Sequence, residues 1–516
     1  MFVTSYTPFG IDGVIIRVEA DIRRGIPGID ITGLAQGAVK EAKERVRVAF
    51  RNSGFVFPSD RVLINLAPAG VRKEGAALDL PIAISVMAAA GIAPPPDNIM
   101  VLGELELSGS LRPVRGVLAA TAAGLANGVD NFIVPIENAD EARILTRNVA
   151  AVATLKDALD ALVVRHETGS LPIVPVTPQN ETDEQNKPSF AGDFAEVRGQ
   201  AVYKRALEIA AAGGHNLLVF GTPGAGKTML ARRMPSIMPT LTPDEAVEVT
   251  RLHSLAGQLQ GGLVTRPPFR SPHHSASAEG VLGGGKSVRP GEISLAHFGT
   301  LFMDEALQFR VNVLQALREP LEDRVISISR AEGQAHLPAD FQLVMTANPC
   351  PCGKLGIENS ACLCSPEEVH RYWRKFGGAL MDRVELRVAV NSPIERIEKN
   401  VSLMGRNGEE TSEQVAKRVA QVVTIQRERF KGTGVRRNAR MTPALIEEHC
   451  ALSEKAENVL RSAIDRLGAS GRAFHGVIRV ARTIADLEGG GAIQGCHIEE
   501  AVQYRRLGDD PYDILC

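Results

Sequence analysis

At 516 residues the chain is too long for one hydrophobic core and predicts roughly three or four domains. A formal net charge of −2 excludes a global field that would attract nucleic acid, so any such contact must come from local basic patches. No apolar run reaches the roughly 18 residues of a membrane span, and Met1 to Ser5 lacks the basic-then-apolar order of a signal peptide, which predicts a cytoplasmic protein with no membrane partner.

Residues 1–165 alternate strand-like runs (Gly13 to Val18, Val62 to Leu66, Phe132 to Pro135) with alanine-rich helical stretches (Leu80 to Ala90, Val117 to Ala126), as a compact α+β domain does. Residues 166–192 turn rich in Pro, Thr, Glu, Gln and Asn without an apolar period, and read as a linker. In 193–390, strands at 217–220, 300–303 and 342–346 alternate with helices, which predicts a nucleotide-binding α/β domain. Residues 391–516 are helical by pattern, with starts at Thr411-Ser412, Thr442-Pro443 and Ser470. The fold class is therefore multidomain α/β.

The chemistry begins at Gly221-Thr222-Pro223-Gly224-Ala225-Gly226-Lys227-Thr228, a G-x-x-x-x-G-K-T loop between an apolar strand and a helix. Its glycines let backbone N–H groups surround phosphate oxygens, Lys227 supplies a point charge to the β- and γ-phosphates, and the Thr228 hydroxyl suits Mg²⁺. Met229 belongs to the same nucleotide-contacting stretch. Thr300-Leu301-Phe302-Met303 then ends in Asp304-Glu305, where Asp304 suits Mg²⁺ held through water and Glu305 suits a group that orients the attacking water. The strand Phe341 to Ala347 ends in Asn348, an amide placed to help position that water; a turn-forming Asn before Pro349 is the alternative.

This order resembles the AAA+ ATPases, and specifically the helix-2-insert branch that contains the magnesium chelatase ATPase subunit and the ComM/YifB family. The shared motifs are Phe269-Arg270-Ser271-Pro272-His273-His274, Gly291 to His297, Ala347-Asn348-Pro349-Cys350-Pro351-Cys352-Gly353, Leu380-Met381-Asp382-Arg383 and Val480 to Leu487. The resemblance implies an AAA+ domain with a helix-2 insert and a helical lid, Asn348 as sensor 1, and Arg383 as an arginine finger that reaches a neighbour's γ-phosphate. It implies Arg472 as sensor 2, with Arg479 as the alternative. A finger acting in trans requires a ring, and a homohexamer is expected. An ordinary surface ion pair is the competing reading of Arg383. One departure is Ala306-Leu307-Gln308-Phe309, where relatives carry Leu-Pro-Glu-Phe.

Residues 61–137 resemble the proteolytic domain of Lon, with a fold like domain 2 of ribosomal protein S5, through Lys73-Glu74-Gly75, Gly103 to Gly109 and Gly128 to Pro135. Lon-type cleavage needs a serine and a lysine. Aligned on those motifs, the serine position is Ala77 and the lysine position is Leu118, so no peptidase activity is expected and a scaffold or DNA-channel role remains.

Cys350-Pro351-Cys352 and Cys362-Leu363-Cys364 form two C-x-C pairs nine residues apart, in an odd set of seven cysteines that suits a metal better than a disulfide framework. Structural Zn²⁺ is one reading and reduced, unligated thiols are the other. His273 and His274 read as packing or as a DNA-facing loop.

For DNA, the candidates are Lys286 in the glycine-rich insert Ala278 to Lys286, Arg330 near the tip of a hairpin over Val325 to Gly333, and Arg436 and Arg437 in a basic cluster (Arg427, Arg429, Lys431, Arg436, Arg437, Arg440) opposed only by Glu428. A solvated basic face is the plainer reading of that cluster. Scarce aromatics favour backbone tracking over base stacking. The leading functional expectation is an ATP-hydrolysing hexameric DNA motor of the branch-migration helicase type. It would act on single-stranded and branched DNA with recombination proteins, during uptake of DNA by natural transformation. The alternatives are a magnesium chelatase-type subunit driving metal insertion into a porphyrin, an ATP-dependent protease, and a nucleotide-locked scaffold.

Overall fold

The computed structural model describes residues 2–33, 37–73, 75–172, 192–259, 261–285, 288–330, 333–357, 360–390, 409–467 and 471–505. Lys286 lies outside them, as does Ser470, and the side chain of Arg330 is likewise outside the description.

The first sheet has seven strands in the order Gly28–Thr32, Arg61–Ala67, Val14–Arg23, Val3–Thr7, Ile99–Val101, Asn131–Pro135, Val149–Val152. It is mixed, with antiparallel pairing around Val14–Arg23 and parallel pairing from Val3–Thr7 outward. Period-two alternation splits its strands between two cores, with Ile133 facing the Ala38–Asn52, Asp79–Ala89 and Leu155–Thr168 helices while Phe132 and Val134 face Val117–Ala126. The Asp79–Ala89 helix has no polar face because every residue from Asp79 to Met87 is buried. The Leu155–Thr168 helix runs three residues into the stretch read as linker and stops at Gly169, whose φ of 79° is the left-handed value that ends helices.

The second sheet is parallel, in the order Phe269–Arg270, Thr300–Met303, Gln342–Ala347, Leu217–Gly221, Leu386–Val390. Leu217, Val219, Phe302, Val344 and Val388 face one layer and Leu218, Phe220, Leu301, Met303 and Met345 the other. The first of these layers is shared with the C-terminal helices: Val419, Val422, Val477, Ala481 and Ile484 belong to the same apolar cluster as the sheet face. The helices Ser412–Arg429 and Pro443–His449 start at the expected Thr411 and Thr442, whose hydroxyls accept hydrogen bonds from the N–H groups of Gln414 and Leu445. No helix among the described residues is long and apolar enough to cross a membrane.

The Pro243–Ala256 helix joins the two sheets. Leu255 packs into the N-terminal core, Ser254 donates to Glu141, and Arg251 pairs with Asp12 at 3.1 Å. Glu141 in turn accepts the backbone N–H of Leu118 at 2.7 Å.

Candidate functional site

The strand Leu217–Gly221 is wholly buried and delivers the loop Thr222 to Gly226 at the carboxyl end of the sheet, where ligands of parallel α/β sheets bind. A side chain at Gly221 would meet the Val390 carbonyl oxygen at 1.9 Å, and Gly224 and Gly226 hold φ of 80° and 81°, so this turn needs glycine for two separate reasons. The loop is braced from behind by Tyr203, whose hydroxyl donates to the Lys227 carbonyl at 2.9 Å, and by Gln200, whose Nε2 donates to Ala225 O at 3.1 Å. Met229 stays exposed.

Lys227 is buried, and its Nζ donates to Gly221 O at 2.7 Å, Thr222 O at 2.9 Å and Asn348 Oδ1 at 3.3 Å. Burial pulls its ammonium below the ordinary lysine range, while Asp304 and Glu305 oppose that shift. Thr228 Oγ1 donates to Asp304 Oδ1 at 2.9 Å, so the two hard oxygen donors expected at magnesium already sit together, a donor set that fits the ion. Thr346 is a residue the sequence did not point out. Its hydroxyl donates to Asp304 Oδ1 at 2.6 Å and accepts the Glu305 N–H at 2.9 Å, tying the acidic strand to the strand that carries Asn348. Glu305 itself is exposed, adopts φ 50°, and accepts Gln308 Nε2 at 2.5 Å. The departure at Gln308 thus places an amide donor on the carboxylate; a glutamate there would face it with like charge.

Arg383 is not in this group. Leu386 pairs with Leu217 and Val390 with Gly221, so Arg383 lies before the start of the strands while the phosphate loop follows their end, about 13 Å of strand away. Asn216 Nδ2 anchors the Arg383 carbonyl there at 2.7 Å. The Arg383 guanidinium bonds Ala379 O at 2.6 Å and pairs with Glu322. Arg472 joins the same carboxylate at 2.5 Å and is therefore also remote from its own phosphate loop. Arg479 is spent within the fold: it donates to Met441 O at 2.5 Å, and burial depresses its pKa against the pull of Glu385.

The four clustered cysteines converge. Their Sγ atoms all lie within 4.8 Å of one another, with Cys350 to Cys352 at 3.4 Å, Cys350 to Cys362 at 3.7 Å and Cys352 to Cys362 at 3.6 Å. Four thiolates at about 2.3 Å from one tetrahedral zinc stand about 3.8 Å apart, so the arrangement fits that ion. This loop rests on the nucleotide site. A side chain at Gly353 would meet Pro223 Cγ at 2.8 Å, and Trp373, stacked edge-on to Phe220, donates Nε1–H to Pro349 O at 3.0 Å.

The basic cluster has tertiary partners that sequence proximity does not reveal. Arg436 pairs with Glu245 at 2.7 Å, Arg427 approaches the same carboxylate at 3.7 Å, Arg429 pairs with Asp486 at 2.6 Å and Arg440 with Asp340 at 3.2 Å. Arg437 is half-buried and lines a cavity. The glycine-rich insert begins as a helix, Ala278–Leu282, and continues as a two-residue ladder of Gly283–Gly284 with Arg289–Pro290, rather than as free backbone throughout. The Val325–Arg330 and Gly333–Pro338 hairpin is formed as expected, with Arg330 opposite Gly333. His273 and His274 stack on each other, centroids 4.1 Å apart.

Three family models match the chain in series: "Subunit ChlI of Mg-chelatase" over residues 18–138, "Magnesium chelatase, subunit ChlI" over 193–398 and "Magnesium chelatase, subunit ChlI C-terminal" over 409–505. The competence protein ComM of Haemophilus influenzae is 39% identical over 514 residues, covering 98% of this chain and 97% of its own. YifB of Escherichia coli, an uncharacterised protein, is 38% identical over 502 residues, covering 96% and 95%. A weaker likeness, 26% identity over 180 residues, 31% of this chain and 32% of the relative, connects it to Lon protease 2 of Bacillus subtilis. With its phosphate loop, acidic strand and Asn348 assembled on one parallel sheet, the chain belongs to the magnesium chelatase-like AAA+ family that includes ComM and YifB.

Proposed function

We propose that the chain is an ATP-hydrolysing, ring-forming DNA motor of the branch-migration helicase type, acting on single-stranded and branched DNA in the recombination that accompanies natural transformation. The observation that supports the ring is the separation of Arg383 from the phosphate loop across one sheet, because an arginine so placed cannot reach its own nucleotide and could act only on one held by another subunit. The DNA part rests on similarity to a protein named for competence. Ala77 and Leu118 at the Lon serine and lysine positions argue against peptide cleavage.

In this reading residues 1–165 are a ring scaffold, 166–192 a linker, 193–390 the ATPase domain and 391–516 the lid, with a hexamer as the assembly. Lys227 and the Gly221 to Met229 stretch hold ATP, Glu305 orients water, and Asn348 fixes the Lys227 ammonium as well as that water. Arg383 and Arg472 stabilise transferring charge on a neighbour's nucleotide. Thr228 and Asp304 would hold Mg²⁺, which supplies charge neutralisation at the phosphates. Cys350, Cys352, Cys362 and Cys364 would hold a structural Zn²⁺ with no open position. Lys286, Arg330, Arg436 and Arg437 are the DNA contacts of the motor in this reading, with Arg436 also paired to Glu245 and Arg437 lining a cavity.

The test is ATPase rate with and without single-stranded or four-way-junction DNA, beside movement of a labelled branch point, for the wild type and Lys227→Ala. DNA stimulation and branch movement that vanish in the variant are expected. Neither stimulation nor movement, with the variant equal to wild type, overturns the motor. Metal insertion into a porphyrin is the second reading, favoured by the chelatase names of all three family segments. It predicts stimulation by porphyrin and partner subunits instead of DNA.

A further inference from the structure

Between the base of the ATPase sheet and the C-terminal helices lies a cavity of about 60 Å³, whose charged lining is Arg436, Arg437, Arg440, Glu245 and Asp340, with Thr240 and Gln342 as neutral polar walls and Phe298 among the apolar ones. Its charge is unbalanced, three guanidinium groups against two carboxylates. Two of the arginines are accounted for. Arg436 pairs with Glu245 at 2.7 Å and lies 4.1 Å over the Phe298 ring; Arg440 donates to Leu321 O at 3.0 Å and Phe341 O at 2.9 Å and pairs with Asp340.

Arg437 is different. Its Nη1 is buried and has no hydrogen-bond partner among the described residues, and no carboxylate there lies within ion-pair distance of it. Glu245 is already engaged by Arg436, by Arg427 and by the Thr242 N–H at 2.8 Å. Arg437 as a whole is half-buried, so it is this one end of the guanidinium that is cut off from water, and a buried donor costs free energy until an acceptor meets it. Burial lowers its pKa to about 10, with Glu245 and Asp340 opposing that shift and Arg427 and Arg436 adding to it, so it stays cationic at neutral pH. Gly214 makes the placement possible: a side chain there would stand 3.2 Å from Arg437 Cβ and Cγ.

The buried, unpaired Nη1 of Arg437 and the space beside it describe a ligand. A cavity of about 10 to 15 Å³ holds one water, so this one has room for a tetrahedral oxyanion, and the planar fork of arginine matches phosphate oxygens. We propose that this cavity is a second anion site, separate from the phosphate loop, which takes a small phosphate-type oxyanion with Arg437 as its main ligand. Its walls come from both the sheet base (Gly299, Gln342) and the C-terminal segment (Arg436 to Arg440), so an anion bound there fastens one to the other.

The test uses the full chain carrying Lys227→Ala, which silences the phosphate loop. Inorganic phosphate titrated at constant ionic strength is expected to raise Tm by about 2 to 4 °C. Arg437→Gln added to that background removes the rise, and Arg437→Lys keeps part of it. Pyrophosphate and ADP are the other arms: an equal or smaller effect than phosphate identifies the free anion as the ligand, a larger one the phosphate tail of a nucleotide. Tungstate soaked into crystals of the otherwise wild-type chain is expected to give an anomalous peak within bonding distance of the Arg437 guanidinium, a measurement that stands even where Arg437→Gln fails to fold. No rise in Tm, a rise that survives Arg437→Gln, or no tungstate at Arg437 overturns the proposal.

Discussion

Arg383 and Arg472 share one carboxylate, Glu322, at the end of the ATPase sheet opposite the phosphate loop. Arg472 stands in the first turn of the helix Gly471–Leu487, and both cations lie remote from the chain's own phosphate loop. If Arg383 is an arginine finger, as proposed, Arg383→Ala is expected to lower kcat by about 10³-fold or more while nucleotide affinity changes little, because such a finger acts only on developing charge. Mixing Arg383→Ala subunits with Lys227→Ala subunits should restore part of the activity, since one supplies an intact phosphate loop and the other an intact finger. Turnover assays on the mixture decide this; a mixture no more active than its parts places Arg383 outside the reaction.

The cysteine loop sits between Asn348 and Pro223, so its order and that of the nucleotide site are coupled. Metal analysis of protein purified under reducing conditions is expected to give one zinc per chain. Cys350→Ser, which removes the buried ligand, should abolish stoichiometric zinc and lower Tm. Absence of zinc in the wild type assigns the cluster to free thiols.

In the N-terminal sheet domain, Asp79 is buried at the start of a helix without a polar face, and Arg45 meets it with Nε–Oδ2 at 2.7 Å and Nη2–Oδ1 at 3.0 Å. Desolvation raises the Asp79 carboxyl to about 6 even with Arg45 opposing it. Arg45→Met leaves the carboxylate buried without its partner and is expected to cost about 3 to 5 kcal/mol. Arg45→Met with Asp79→Leu should recover most of that. Hydrogen exchange of the Asp79–Ala89 amides reads the loss where it occurs.

His215 is fully buried beside Arg479 and Arg440, its Nε2 2.8 Å from Thr483 Oγ1, and burial followed by those two charges lowers its pKa to about 3. The unfolded chain binds a proton near pH 6.5 and the folded chain does not, so this contribution is complete above that pH and is lost as pH falls toward 3. The stability difference between wild type and His215→Gln should shrink by about 4 kcal/mol between pH 7 and pH 3.5. Denaturant midpoints of both proteins across that range check it; parallel curves would show that His215 titrates normally.

The strands and helix starts around the nucleotide were legible in the amino-acid order because they depend on local chemistry. Gly221, Gly224 and Gly226 answer to backbone geometry, Thr411 and Thr442 to helix capping, and the buried strands to apolar runs. Asp304, Lys227 and Asn348 could be grouped from their positions at strand ends, since a parallel sheet collects such ends along one edge. Other relationships depend on residues far apart in the chain. Thr346 and Gln308 hold the two carboxylates through partners that no motif names. Glu245, Asp340 and Asp486 pair with four arginines of a cluster whose local neighbours are nearly all basic, because an ion pair needs only nearness in space and a carboxylate distant in sequence supplies it. By itself the sequence determined that a phosphate loop, an acidic strand and a polar strand end occur in order on α/β architecture. Only the tertiary structure decided which way Arg383 and Arg472 face and which arginine of the cavity keeps a buried, unpaired N–H, because packing, not spacing, sets where long side chains end and whether water reaches them.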